Sequence, residues 1–439
     1  MRILHVSMGL PPFRTGGLNQ YCLDLMTEQK RQGEEVALLF PGNYSFGKTR
    51  IKRENHFDFN LFKIINPLPL ALNCGINAPE RYYRKCNSDC YEQFLKHYKF
   101  DVIHIHCIMG IHLEFFQEAK KQKIKMIMTT HDYYPFCITC NLVYKDGNLC
   151  GGPSAEKCFE CNKGRGLSQK QEHIMQSQIY KVFKTKPLIK KIRKKAKKQI
   201  VSSNKDVSNK TVLNFPKVIF KYKKLIEYNQ KIVNLVDCIH CNSDVAKEIY
   251  SKYLKEIDYK VIPITKSGLS NTLHTKKIEG KVLKIGFIGT TNPVKGLNVL
   301  IESLFEILDK EHEIIWELEL YGDDYSDYEK LDQRIKNRGC FVQDQLGQVF
   351  SNIDLLIVPS IWYETFGFVV LEAMAYGVPV IVSDLVGAKI LLKESSIFRH
   401  DDIVDLANKI INPQNTTGYE RMSLESISLH TLKIRNLYR

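Results

Sequence analysis

The sequence predicts an α/β protein of two doubly wound domains, and three observations lead there. Its 439 residues exceed what a single core usually organises, so two domains are expected. Both halves alternate short apolar runs with helical patterns: RILHVSM, EVALLF, FDVIHIH and KMIMTTH in the first, LKIGFIG, WELELYG, DLLIVPS and VPVIVS in the second. Such runs read as buried parallel strands. The polar stretch Thr265–Gly280 between the halves reads as a linker.

In chain order, the first strand gives way to PPFRTGGLNQY, a glycine-bearing loop in which the Gly16-Gly17 pair, on its own, reads as a turn. GxGxxG is absent, which speaks against a dinucleotide dehydrogenase. His131 heads an H-D-Y pattern just past the end of KMIMTTH, whereas His104 and His106 lie on a strand and read as structural. The loop that follows carries Cys137, Cys140, Cys150, Cys158 and Cys161. Its two C-x2-C pairs resemble a zinc knuckle. Cys86/Cys90 and Cys238/Cys241 read as plain thiols.

Residues 168–235 read as a helical insertion with two apolar stripes, one through Ile189, Ile192, Ala196 and Ile200, the other from Val218 to Val233. The formal net charge is +15. It is concentrated between Lys181 and Lys231, where seventeen Lys or Arg face two acids, Asp206 and Glu227. Basic amphipathic helices suit an anionic membrane surface; a solvated face of packed helices is the alternative. No apolar run approaches the roughly 18 residues of a membrane span, and the N-terminus reads as strand and loop rather than a signal peptide. A cytoplasmic chain, peripheral at the membrane face, is expected. The thirteen cysteines then argue for thiols or metal rather than disulfides.

The most informative stretch is Asp354–Ser383, read as strand, loop, helix, strand. Glu364 lies in the loop and Glu372 in the helix, near the carboxyl end of a buried strand, where open α/β sheets bind ligands. Upstream, Lys295 sits in a glycine-flanked loop after another strand, placed to neutralise a diphosphate. Asp323-Asp324 and Asp401-Asp402 read as solvated acids.

PSIWYETFGFVVLEAMAYGVPVIVSD resembles the donor-site signature of retaining, nucleotide-sugar-dependent glycosyltransferases of the GT-B fold, the group 1 (family 4) class. The resemblance implies two Rossmann-like domains facing a central cleft: an acceptor domain over 1–270, with the cysteine-rich loop 137–161 and the insertion, and a donor domain over 281–425. It implies a terminal helix over 426–439 that crosses back. Gly16 and Gly17 would line the mouth of the cleft, and His131 would be a functional histidine. Glu364 would contact the donor sugar and Glu372 the ribose, with Phe366 and Gly367 supplying loop shape and amides. Thr290 stands where the family usually has arginine, so that another base such as Arg14 would substitute. Some relatives carry single cysteines matching Cys137, Cys150, Cys158 and Cys161, which makes Cys140 the spare in a structural zinc site.

The implied reaction moves a hexose from a nucleotide-diphosphate sugar to a saccharide acceptor, often lipid-linked, with retention of configuration and no catalytic metal. Front-side attack is implied, with no covalent role for Glu364. Two other classes are weighed. A non-enzymatic protein binding membrane or nucleic acid through the basic insertion leaves the glutamates without a role, and KKIRKKAKK lacks base-stacking aromatics, so no nucleic-acid partner is expected. A GT-B-like sugar-nucleotide epimerase is disfavoured by PSIWYETFG.

Overall fold

The structure, a computed structural model, describes residues 1–11, 14–54, 58–71, 75–177, 180, 215–269, 281–311, 314–411 and 424–439. Residues 181–214 of the basic segment, with its first apolar stripe, and 270–280 of the linker lie outside the described residues. The chain forms two compact units. One comprises Met1–His240, Tyr253–Lys260 and Thr431–Arg439, the other Cys241–Lys252 and Val261–His430.

The first unit is organised by an eight-stranded sheet of β1 (Arg2–Val6), β2 (Glu35–Pro41), β3 (Arg50–Glu54), β4 (Asn60–Ile65), β5 (Val102–Ile105), β6 (Lys125–Thr129), β7 (Cys238–Cys241) and β8 (Asp258–Val261), in the order β3-β4-β2-β1-β5-β6-β7-β8. β1 pairs in parallel with both β2 and β5, so the chain winds outward in both directions from β1. The strands are buried on both faces: Ile3, Leu4, Leu38, Ile103, Ile105 and Ile127 are fully enclosed. The edge strand β3 is antiparallel to its neighbour β4, and its pattern RIKRE is largely exposed.

The helix Phe215–Val233 carries the second predicted apolar stripe, and that stripe faces protein. Tyr222, Leu225, Ile226, Ile232 and Val233 are buried, while Lys217, Lys223, Lys224 and Lys231 lie on the exposed side. Polar contacts fix the helix: Tyr222 OH donates to the Ile76 carbonyl at 2.5 Å, and Tyr228 OH accepts from Leu113 N–H at 2.7 Å.

The second unit holds six strands: β9 (Val282–Ile288), β10 (Ile315–Tyr321), β11 (Ile335–Gly339), β12 (Leu355–Val358), β13 (Val380–Ser383) and β14 (Ile397–Phe398), in the order β11-β10-β9-β12-β13-β14. The pairings are all parallel. β9 lies between β10 and β12, so the winding reverses there. Open sheets of this kind bind ligands beyond the carboxyl ends of the strands at such a reversal. Behind it, Ile285, Leu300, Leu304, Trp316, Leu318, Leu355 and Ile357 form a closed apolar core. Among the described residues no helix is long and apolar enough to cross a membrane.

Candidate functional site

The loops after β9 and β12 leave the sheet side by side and are locked together through their backbones. Ile361 N–H donates to the Val294 carbonyl at 3.0 Å. Gly296, in the left-handed region at φ 74°, packs so closely that a Cβ there would fall 1.7 Å from the Pro359 carbonyl oxygen. No other residue fits this position. The contact delivers Lys295, from the first loop, to Glu364, from the second: Nζ donates to Oε1 at 2.7 Å. Ser360 Oγ donates to the other carboxylate oxygen at 2.5 Å, and the Trp362 ring centroid lies 5.4 Å from Nζ. The side chains are 27% and 12% exposed, so the pair is partly desolvated yet open to solvent on the lysine side.

The loop bearing Glu364 is rigid for an irregular segment. Glu364 N–H donates to the Leu385 carbonyl at 3.0 Å, its own carbonyl accepts from Gly387 N–H at 2.9 Å, and the Phe366 carbonyl accepts from Ala388 N–H at 2.8 Å. The Phe366 side chain is buried beneath. Gly367, at φ 104°, turns the chain into the helix Phe368–Ala375, which carries Glu372. Glu372 Oε1 accepts from Lys266 Nζ at 2.5 Å, with side chains only 14% and 10% exposed. Sequence reasoning missed Lys266, which lies in the segment read as linker, 106 positions away, with no local signal. Thr290 is exposed; its neighbour Thr291 donates to Asp323 through both N–H, at 3.0 Å, and Oγ1, at 2.8 Å. Asp323 therefore braces the β9 loop rather than standing in solvent.

In the first unit, Gly16 and Gly17 are exposed at the start of the helix Gly17–Arg31. Gly16 has φ 115°, and a Cβ there would meet nothing within 4 Å. His131 is half-buried directly after β6, with its Nε2 3.3 Å from His106 Nδ1. Burial pushes His131 down to about 3 and the neighbouring Asp132 carboxyl up to about 6.

Cys137, Cys150, Cys158 and Cys161 line one small pocket, with Cys140 outside its lining. Cys158 and Cys161 sit one turn apart on the helix Ala155–Asn162. Cys137 Sγ accepts from Leu142 N–H at 3.3 Å, as a thiolate ligand would. Burial, reinforced by the other three sulfurs, pushes the Cys158 thiol up to about 12, so a divalent cation would relieve the electrostatics the four share. The donor chemistry fits zinc. The spacing is wider than a bound shell: no three of these sulfurs lie within 4.8 Å of one another. Four thiolates around zinc stand about 3.8 Å apart, from a bond near 2.3 Å, so the loop must contract to close it.

Two Rossmann-like units, each with its chemistry beyond the carboxyl ends of a reversing parallel sheet, define a GT-B architecture. Two family models match successive stretches of the chain: Glycosyl transferases group 1 over residues 282–413 and Glycosyltransferase Family 4 over residues 15–154. The chain belongs to the group 1 (family 4) glycosyltransferases of the GT-B fold. It is 28% identical over 221 residues to Protein CapJ of Staphylococcus aureus, a match covering 44% of this chain and 55% of that protein. The matched part thus spans about half the length of the curated relatives. Among solved structures, the sucrose-phosphate synthase (tll1590) from Thermosynechococcus elongatus is similar with a TM-score of 0.55 at 16% identity, covering 100% of this chain and 98% of that one. Anabaena Alr3699/HepE in complex with UDP and glucose gives 0.51 at 15% identity, covering 100% and 99%. At these identities the likeness shows the fold.

The buried histidines of the first unit set an acid limit on stability. Burial lowers His5 and His112 from 6.5 to about 4 and His106 well below 6.5. A depressed folded value means the unfolded chain takes up the proton first. Stability is therefore full above pH 6.5 and is lost as pH falls towards 4, at up to about 1.4 kcal/mol per pH unit for each such histidine. Asp132, raised from 3.8 to about 6, has the opposite sign and offsets one of them between those values. The urea midpoint should fall clearly between pH 7 and pH 5. His112→Asn should remove about one proton from the uptake on unfolding. A midpoint that stays level over that range would contradict the assignment.

Proposed function

We propose that this chain transfers a hexose from a nucleotide-diphosphate sugar to a saccharide acceptor, lipid-linked, with retention of configuration, in surface polysaccharide biosynthesis. The observation that carries the reading is the Lys295–Glu364 contact at the reversal of the second sheet, beside a second acid, Glu372, on the following helix. In this reading the bond between the anomeric carbon and the diphosphate oxygen breaks while the acceptor oxygen bonds to the same face. The acceptor proton passes to the leaving phosphate, and Lys295 neutralises the charge that develops there. Glu364 accepts a sugar hydroxyl and Glu372 a ribose hydroxyl, and amides at Phe366 and Gly367 complete the donor contacts. Gly16, Gly17, Thr290 and His131 enter through the family resemblance alone. That a solved protein of the same fold holds UDP and glucose supports a nucleotide-sugar donor.

Incubation with a panel of nucleotide sugars should release nucleotide diphosphate from one of them, and the product should keep the donor's anomeric configuration. Lys295→Ala or Glu364→Ala should lower turnover about 100- to 1000-fold, the scale of losing one preorganised electrostatic contact. Wild-type turnover in a folded Lys295→Ala protein would take Lys295 out of the reaction.

Cys137, Cys150, Cys158 and Cys161 are proposed to hold a structural zinc that pins the loop following His131. Protein purified without chelator should contain about one zinc per chain in a closed four-thiolate site. Absence of metal with all four thiols freely alkylated would end this proposal.

The basic segment is proposed to hold the protein on anionic membrane, where a lipid-linked acceptor resides. Its support is the charge concentrated between Lys181 and Lys231, of which the exposed lysines of the helix Phe215–Val233 are the described part. Each base near such a surface contributes about 1 kcal/mol. Co-sedimentation with liposomes should rise with anionic lipid, fall with salt, and drop when Lys190, Lys191, Arg193, Lys194 and Lys195 become Gln. A mutant sedimenting like wild type would exclude this contact.

A further inference from the structure

Five histidines of the first unit, His131, His106, His5, His104 and His240, lie on one hydrogen-bonded line. Beyond the His131–His106 contact, His106 Nε2 lies 2.9 Å from His5 Nδ1, and His5 Nε2 lies 2.7 Å from Gln29 Oε1. The same amide continues the line: Gln29 Nε2 donates to Tyr438 OH at 2.8 Å, and Tyr438 OH lies 2.6 Å from His104 Nδ1. His104 Nε2 is 2.6 Å from Thr129 Oγ1, which is 2.9 Å from His240 Nδ1. Gln29 and Tyr438 are 1% and 6% exposed and stand 409 positions apart. Cys22 packs beside His5 and His106, their ligand atoms within 4.8 Å. The bond between the two rings occupies the nitrogens a cation would need, and burial pushes the thiol up to about 12. The two rings belong to the line, and Cys22 Sγ donates instead to Met26 Sδ at 3.8 Å.

A neutral imidazole carries one N–H, so a ring bonded at both nitrogens must donate at one and accept at the other. Burial keeps His5, His106 and His131 neutral at pH 7. An amide has no such freedom, because its oxygen only accepts and its nitrogen only donates. With Oε1 of Gln29 against His5, His5 must be protonated at Nε2 and accept at Nδ1. His106 then donates from Nε2 and accepts at Nδ1, and His131 donates from Nε2. On the far side Tyr438 accepts from the amide and so gives its own proton to His104 Nδ1. Every ring has the same sense, and only reversal of the whole line would change one of them.

We propose that Gln29 and Tyr438 are positioning residues that hold His131 with its proton on Nε2 and none on Nδ1, so that Nδ1 is the accepting nitrogen of this ring. The bearing on transfer rests on His131 being a site residue, as proposed above; the proton positions do not.

Long-range ¹H–¹⁵N correlation of ¹⁵N-histidine-labelled full-length protein at pH 7.5, assigned by single His substitutions, reads each tautomer directly. In wild type, His5, His106 and His131 should each show a protonated Nε2 and an unprotonated Nδ1. Gln29→Leu and Tyr438→Phe should shift His131 to a mixture of tautomers. Gln29→Glu, whose carboxylate accepts from both sides, should keep the His131 form while moving the His104 proton to Nδ1. A wild-type His131 protonated on Nδ1, or a Gln29→Leu spectrum unchanged at His131, overturns the proposal; the wild-type spectrum decides even if a variant fails to fold. Tautomers that shift as expected while nucleotide diphosphate release stays at the wild-type rate would uphold the line and remove His131 from the reaction.

Discussion

The second unit depends on the approach of two backbones, Gly296 against the Pro359 carbonyl. Two loops that leave neighbouring strands on opposite windings of a sheet normally diverge. Here the absence of a single Cβ lets them close to contact distance, and the Ile361–Val294 hydrogen bond fixes their register. The Lys295–Glu364 pair follows from that approach. Lys295 adjoins the glycine on one loop, and Ser360, Trp362 and Glu364 follow the proline on the other. A partly desolvated ion pair contributes little net stability, because removing two charges from water costs about what their attraction returns. Holding Lys295 and Glu364 2.7 Å apart is thus the work of the apolar sheet and the glycine contact beneath, and the charges are cargo on that frame.

The parts of this arrangement legible in the sequence are those written locally. Buried strands appear as continuous apolar runs: β1, β2, β5 and β6 of the first sheet and β9, β10, β12 and β13 of the second coincide with runs read there, whereas β3, β4, β11 and β14 carried no such signal. Glu364, Phe366, Gly367 and Glu372 share one strand–loop–helix unit, so their grouping needed no long-range knowledge. What could not be read joins distant positions. Lys266 meets Glu372 across 106 residues, and nothing in ITKSG marks it as a partner. His104 and His106 read as structural residues on a strand; both are buried, His104 within β5 and His106 just past its end, but their bonds to Tyr438 and His5 depend on which strands become neighbours, and no periodicity encodes that. The division of the chain was also hidden: Cys241–Lys252 packs with the second unit although the strand it continues from belongs to the sheet of the first.

Charge and apolar pattern separate cleanly on the helix Phe215–Val233. Its stripe is consumed by packing against the first unit, anchored by Tyr222 and Tyr228, and its lysines are left on the other side. An amphipathic pattern alone therefore does not show which apolar surface, protein or lipid, it was shaped to meet.

The Lys295–Glu364 pair has one more consequence. An anion arriving at Lys295 meets a cation already engaged by a tethered rival that never diffuses away. A singly charged ion exchanges one contact for an equivalent one and gains almost nothing. A ligand carrying two adjacent phosphates together with hydroxyls can engage the lysine and give Glu364 a new partner in the same step. On the donor role proposed for this pair, the glutamate would act as a threshold, set by geometry, that simple salts fail to pass.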